Sequence, residues 1–170
     1  MLKKIILCFF VILSMSSRIS KQDEFDPVRL AGKWFFWGST FGVHFNDVST
    51  FFDIHDNKVD FTHYGSGFDD NGNKYWFMSE LIHQDGKPLN EYTRFNYLGN
   101  MGLDDSDPVV IVETDYTNIM IFKVIMNPSN EWVWTILGRE EKPSNEKFEA
   151  ALKQTLELSG LDRSKFDKYD

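Results

Sequence analysis

Short runs of aromatic and β-branched residues follow one another between residues 33 and 138, and no helical spacing of apolar positions occurs before residue 144. Turn-forming pairs such as Asn71-Gly72 and Asp85-Gly86 separate the runs, which recur at intervals of roughly ten residues, as is typical of antiparallel β-structure. The pattern predicts eight strands, near 33–41, 47–55, 58–65, 74–83, 91–98, 108–115, 118–126 and 131–138.

Several of these strands alternate between apolar and polar positions. Phe61 and His63 oppose Thr62, and Phe122 is followed by Lys123, so each strand has one apolar face. A sheet of hairpin-connected strands can stay open, stack as a sandwich or close into a barrel, and closure removes both exposed edges. We therefore predict an all-β fold, an eight-stranded antiparallel up-and-down barrel with its apolar positions inside.

Strand 74–83 is apolar on both faces, which predicts that its outer face is covered. A helix over about 144–159 is available, because Ser144 can serve as its N-cap and Gly160 as its stop. Its apolar positions recur at helical spacing. They are Phe148, Ala151, Leu152, Thr155, Leu156 and Ser159. We predict that this C-terminal helix packs on the outside of the barrel and that the polar residues after Asp162 are loosely held.

Residues 1–20 differ from the rest of the chain. Lys3 and Lys4 precede an apolar run from Ile5 to Leu13, followed by small residues, which is the pattern of a cleaved secretory signal peptide. The run is too short for a membrane-spanning helix, which needs about 20 residues. The expectation is one domain over residues 21–170 that enters the secretory pathway, with an extracellular or a lumenal or vacuolar destination.

Charge and cysteine content exclude several classes of function. Without residues 1–20 the chain keeps 15 basic and 26 acidic residues, a net charge of −11, which repels nucleic acids and anionic membranes. Its one cysteine, Cys8, lies in the predicted signal peptide, so the remainder can form no disulfide and no thiolate site. The histidines show no zinc spacing. We expect no metal site, no nucleic acid partner and no membrane insertion.

Three short motifs occur at the ends of predicted strands. They are Gly32-Lys33-Trp34, Thr114-Asp115-Tyr116 and Gly138-Arg139. In order and spacing they resemble the Gly-x-Trp motif, the Thr-Asp-Tyr motif and the arginine before the C-terminal helix of the lipocalin family, a member of the calycin superfamily. The resemblance covers roughly residues 25–166 and implies structural roles for Gly32, Thr114, Asp115 and Tyr116. It also implies that Trp34 and Arg139 close the barrel floor through a cation–π contact.

The resemblance implies a carrier that binds one small hydrophobic ligand inside the barrel, such as a retinoid, a bilin or haem-like tetrapyrrole, or a lipid. With 16 Phe, 6 Tyr and 5 Trp, the interior is expected to be aromatic, which suits flat conjugated guests. His63 could ligate a haem iron or hydrogen-bond a polar ligand end. No cofactor is required. The predicted wall residues, for which plain core packing is the alternative, are Phe36, Phe52, Phe61, His63, Phe77, Phe95, Met120, Phe122 and Trp134.

Two other classes of function stay open. An enzyme acting on a hydrophobic substrate would need acidic groups in the cavity, but the paired acids lie at strand ends, in loops or on outer faces. These are Glu113 and Asp115, Glu140 and Glu141, and Asp104 and Asp105. We predict no catalytic residue and no enzymatic activity. A filled barrel could instead form a homo-oligomer, with Trp76, Met78 and Ile82 at the interface.

Overall fold

The computed structural model describes residues 25–41, 45–69, 71–99, 107–126 and 131–169. The predicted signal peptide, His44, Asp104 and Asp105 lie outside these ranges. The main elements are β1 (Gly32–Ser39), β2 (Phe45–Ile54), β3 (Phe61–Asp69), β4 (Lys74–His83), β5 (Glu91–Gly99), β6 (Asp107–Thr114), β7 (Ile119–Met126), β8 (Glu131–Gly138), α1 (Asn145–Ser159) and β9 (Asp167–Lys168). All eight predicted strands and the helix are present, and β9 was not predicted.

Consecutive strands from β1 to β8 pair antiparallel, and β1 also pairs with β8, so the sheet closes into a barrel. The prediction of an eight-stranded up-and-down barrel is confirmed. β1 contacts β2 only through residues 32–35 and β8 through residues 35–39. Phe35 is therefore the only residue of β1 that pairs with both β2 and β8. From residue 36 onward, the edge of β1 that faces β2 is not paired with β2.

The inward side chains fill the half of the barrel in which β1 begins. Trp34, Phe52, Phe61, Leu81 and Met120 all lie in one core cluster and are at most 2% exposed. The apolar faces of β3 and β7 point inward, as their alternation predicted: Phe61, His63, Met120, Phe122 and Val124 are buried. Large side chains therefore occupy one half of the barrel completely, and space for a guest is confined to the other half.

α1 packs on the outside of the barrel, as predicted. The Ser144 side chain accepts a hydrogen bond from the Lys147 amide, and the helix ends at Gly160, whose φ of 69° favours glycine. Its buried face is formed by Phe148, Ala151, Leu152 and Thr155. Because the sequence after residue 20 contains no cysteine, the helix docks by apolar contact, against Trp37 and Ile136.

The position of α1 corrects one prediction. The helix contacts β8, and Trp76 and Met78 on the outer face of β4 stay 42% and 37% exposed. The short link from Gly138 to Asn145 explains the difference, because it places the helix over the strand that it follows and over the adjacent β1. β4 lies on a distant part of the barrel wall.

The C-terminal segment is also better ordered than predicted. Asp162 caps a 3-10 turn at Arg163–Lys165, and β9 then pairs with β1 through Gly38 and Ser39. Gly38 and Ser39 pair with β8 on one edge of β1. β9 therefore pairs with the opposite edge, at the positions where β2 no longer pairs with β1. Tyr169 is only 5% exposed. The expectation of a loosely held end was wrong, because that unpaired edge was not visible in the sequence.

Among the described residues, the structure contains no helix of the length and apolar character needed to cross a bilayer.

Candidate functional site

One end of the barrel is closed by Trp34 and Arg139. Trp34 is fully buried, and its indole N–H donates to the Leu30 carbonyl at 2.8 Å. The Arg139 guanidinium lies 3.7 Å from the centroid of the Trp34 ring and donates to the carbonyls of Lys33 and Ala31 at 2.9 and 3.1 Å. The predicted cation–π contact is confirmed. This end of the barrel cannot admit a ligand.

The remaining motif residues support the same closed end. Gly32 has a φ of 102°, and a Cβ on it would lie 3.3 Å from Arg139 Nη1. The Thr114 hydroxyl donates to the Ile119 carbonyl and accepts from the Tyr116 amide. The Tyr116 carbonyl in turn accepts a hydrogen bond from Arg139 Nε at 3.3 Å. The three motifs are therefore linked through Arg139.

Asp115 is a turn residue, as the sequence indicated. Its carboxylate accepts hydrogen bonds from the backbone amides of Thr117, Asn118 and Ile119. Partial burial, the largest single influence, acts to raise the pKa of Asp115, but these bonds and one from the Asn118 side chain together hold the pKa below its ordinary value. The carboxylate stabilises the β6–β7 turn and lies away from the barrel interior.

The opposite half of the barrel contains a cavity with an open mouth. Four predicted wall residues line it: Phe36, His63, Phe77 and Phe122. The cavity has a volume of about 80 Å³. It is small and walled largely by aromatic rings.

Three other predicted wall residues lie inside the barrel but below this cavity. Phe52, Phe61 and Met120 belong to the core cluster of the closed half. Phe61 contacts Phe52 edge to face, with ring centroids 5.8 Å apart. Core packing, the alternative that the sequence left open, describes the position of these three.

Phe95 and Trp134 do not face the interior, so two predicted wall positions are wrong. Phe95 is 38% exposed, and its strand neighbour Arg94 points inward instead. Trp134 is buried, but its neighbours Val133 and Thr135 line the cavity, which places the indole on the outer side of β8. On that side, Lys123 Nζ lies over the Trp134 ring, 5.3 Å from its centroid.

Sequence reasoning missed two residues that shape the cavity. Arg94 lines the wall although charged residues rarely face a barrel interior, and Tyr169 reaches the cavity from β9. The rings of Tyr169 and Phe36 are 6.4 Å apart. Burial raises the pKa of Tyr169 to about 12, so its hydroxyl is neutral. Alternation in β5 could have indicated Arg94, since it shares parity with the buried Tyr92.

Arg94 enters the wall together with a counterion. Its Nη2 donates to Asp107 Oδ2 at 2.6 Å, and the two side chains are 8% and 4% exposed. The residues are direct partners in the β5–β6 pairing. Burial lowers the pKa of Arg94, and the bond to Asp107 partly offsets this effect. Arg94 therefore stays charged, and the pair brings no net charge to the cavity.

His63 is the polar group that remains unexplained by packing. Its ring stacks on Phe52 with centroids 4.4 Å apart and meets Phe77 edge to face at 4.9 Å. The residue is 7% exposed, and neither ring nitrogen has a hydrogen-bond partner among the described residues. Burial, with a smaller contribution from nearby Arg94, lowers the pKa of His63 to about 3. At neutral pH the imidazole is therefore uncharged.

This low pKa predicts a pH dependence of stability. Unfolded His63 has an ordinary pKa near 6.5, so below that pH the unfolded state binds a proton that the folded state refuses. The free energy of unfolding should fall from pH 6.5 to pH 5, with a contribution from His63 of up to about 1.4 kcal/mol per pH unit. Urea denaturation across this range measures the slope.

His63→Leu is the matched variant, since it removes the titrating group and keeps an apolar side chain on the wall. The decrease in its free energy of unfolding per pH unit, between pH 6.5 and 5, should be smaller than that of the wild type by the contribution of His63. Parallel profiles for the two proteins would mean that His63 titrates normally in the folded state.

Comparisons with known proteins agree with this architecture at the level of the fold. No protein-family model matches the sequence, and no curated protein matches it. Apocrustacyanin C1 superposes with a TM-score of 0.64 at 17% identity, covering 83% of this chain and 77% of its own. Lobster apocrustacyanin A1 gives 0.63 at the same identity and coverage. The fold is that of a lipocalin.

H1 crustacyanin from the lobster Homarus americanus is similar to the same extent, with a TM-score of 0.62, 16% identity and coverage of 88% of this chain and 79% of its own. The likeness extends over most of each lipocalin. It supports the resemblance inferred from the three motifs, while the low identity means that the occupant of the cavity must be argued from this chain's own residues.

Proposed function

We propose that this protein is a carrier that binds one small hydrophobic ligand in the open half of its barrel. The observation that supports the proposal is a one-ended cavity walled by aromatic and aliphatic side chains, with a closed floor beneath it. Burial of an apolar guest in such a site is favourable at roughly 25 cal/mol per Å² of apolar surface removed from water. Among the described residues, a barrel closed at one end and open at the other therefore keeps a poorly soluble compound out of water.

The packing around His63 favours a thin guest over a broad one. His63 stacks on Phe52 and meets Phe77 edge to face, and the cavity beside these rings has a volume of only about 80 Å³. A haem or bilin would require these rings to separate, and haem ligation by His63 would require Phe52 to leave its stacked position. Among the ligand classes that the sequence left open, a retinoid or a linear lipid agrees better with this cavity.

Entry into the secretory pathway is part of the proposal. It rests on the pattern of residues 1–20, with two lysines, an apolar run and small residues. The protein would act outside the cell or in a lumenal or vacuolar space. Amino-terminal sequencing of the protein from its natural source tests the point, since a mature chain beginning near residue 21 is expected and one beginning at Met1 would contradict it.

A carrier function without catalysis agrees with the positions of the acidic residues. Glu113, Asp115, Glu140 and Glu141, which an enzymatic function would have needed near the ligand, are exposed outside the cavity. Self-association is a second candidate property, because Trp76, Met78 and Phe95 are exposed on the outer faces of the neighbouring strands β4 and β5.

Native mass spectrometry of the protein from its natural source, with organic extraction, tests both properties. We expect one small hydrophobe per chain, and the mass of the intact species reports any oligomer. The binding test is titration with retinol, followed by quenching of tryptophan fluorescence.

Two variants test whether the ligand binds inside the cavity. Val133→Trp fills the cavity wall and should weaken retinol binding at least about tenfold, since the indole occupies the space of the guest. Val110→Trp makes the same substitution on β6 at a partly exposed position outside the cavity lining, and its affinity should equal that of the wild type. Absence of any bound hydrophobe together with equal affinities for both variants would refute a ligand site in the barrel.

A further inference from the structure

The polar groups on the cavity wall carry information about the polar end of the ligand. A neutral imidazole has one N–H donor and one nitrogen acceptor, and a buried polar group left without hydrogen bonds costs on the order of 1–3 kcal/mol. Both ring nitrogens of His63 are buried without a partner among the described residues. Buried polar groups in folded proteins are otherwise almost always satisfied. A ligand oxygen that hydrogen-bonds one of these nitrogens would remove part of this cost.

The charges around His63 restrict what that ligand atom can be. Arg94 is the only residue with a formal charge among the described residues that line the cavity, and Asp107 already neutralises it at 2.6 Å. A ligand carboxylate would be a second anion, after Asp107, beside the single cation Arg94, in a cavity walled mostly by apolar side chains. Burial of an uncompensated charge is far more costly than burial of a hydroxyl or a carbonyl. A cationic ligand would instead meet the guanidinium of Arg94.

We infer that the ligand has an uncharged oxygen at its inner end, a hydroxyl or a carbonyl, which hydrogen-bonds His63, so that the guest is an apolar alcohol, aldehyde or ketone and not a fatty acid or another anionic lipid. This inference rests on the proposed function, since it names the class of ligand for the same cavity. A hydroxyl fits best, because it can either donate to the unprotonated ring nitrogen of His63 or accept from the ring N–H.

Retinol and retinoate test the inference because they share one polyene and differ only in the terminal group. At pH 7.4, quenching of tryptophan fluorescence in the wild-type protein should give a dissociation constant for retinol about tenfold lower than for retinoate, the effect of one hydrogen bond and one avoided buried charge. This comparison needs no variant and does not depend on how a mutant folds.

Two variants show whether His63 is responsible. His63→Leu should weaken retinol binding about tenfold with little change for retinoate, so that the preference disappears. Phe77→Leu shortens the adjacent aromatic wall residue and should weaken both compounds similarly, which leaves their ratio as in the wild type. Circular dichroism of each variant confirms that the barrel is folded.

The possible outcomes distinguish the two proposals. Binding of both compounds with equal affinity, or a preference for retinoate, would overturn the inference and leave the carrier function intact. Failure of retinol to bind would overturn the inference, and failure of both compounds together with the absence of any bound hydrophobe in the native mass spectrum would refute the carrier function as well.

Discussion

Trp34→Ala should lower the free energy of unfolding by about 3–5 kcal/mol, the usual cost of truncating a buried tryptophan. Trp34 is fully buried at the floor of the barrel, and its loss leaves a cavity beneath Met120 and Leu137, which belong to the same cluster. It also leaves the Leu30 carbonyl without the indole N–H and removes the ring beneath Arg139. Urea denaturation monitored by circular dichroism measures the change.

Trp132→Ala is the matched control. Trp132 is 37% exposed on the outer surface, and its main contact in the structure is a cation–π interaction with Lys123 at 4.5 Å. Such a contact contributes about 0.5–1 kcal/mol at an exposed site, so this variant should lose little stability. Equal losses for the two variants would mean that Trp34 does not have the structural role assigned to it.

Arg94→Met should also lower the free energy of unfolding by about 3–5 kcal/mol, because it leaves the buried Asp107 without its cation. The side chains of this pair are 8% and 4% exposed, so solvent cannot replace the lost partner. Asp107→Leu should have a similar effect, since it removes the carboxylate that the buried guanidinium of Arg94 binds. Denaturant unfolding at pH 7 measures both.

The double variant Arg94→Met with Asp107→Leu completes the cycle. Replacing both charges by apolar groups removes the attraction and the desolvation cost together, so its stability should be close to that of the wild type. A loss of stability in the double variant equal to the sum of the two single losses would contradict direct coupling between the two side chains. They would also weaken the argument that the cavity wall carries no net charge.

Alternation along a strand predicted the inward face where one face of the strand is polar. Thr62 marks the outer face of β3, and Lys123 marks the outer face of β7. The residues next to each of them on the same strand point inward. The same reasoning failed in β5 because a charged residue, Arg94, is inside. Its partner Asp107 lies 13 positions away on β6, and the pair becomes visible only when the two strands are in register.

Trp134 shows the opposite difficulty. An aromatic residue in a barrel strand is expected inside, but this indole lies on the outer side of β8, where the neighbouring strand supplies Lys123 as its cover. The ammonium group of Lys123 lies over the ring as a cation–π partner, with Nζ 5.3 Å from the ring centroid. The composition of β8 alone contains no sign of this cross-strand contact.

The sequence by itself determined the number and order of strands and the capped C-terminal helix, because these features depend on local periodicity and turn residues. Closure of the barrel was a preference among three arrangements, and the Trp34–Arg139 floor was implied by the resemblance of three short motifs to the lipocalin family. Only the tertiary structure decided the size of the cavity, the burial of the Arg94–Asp107 pair, the isolation of His63 and the docking of Tyr169 from β9. Each of these depends on contacts between residues far apart in the chain, and the register and packing that create such contacts leave no periodic signal in the sequence.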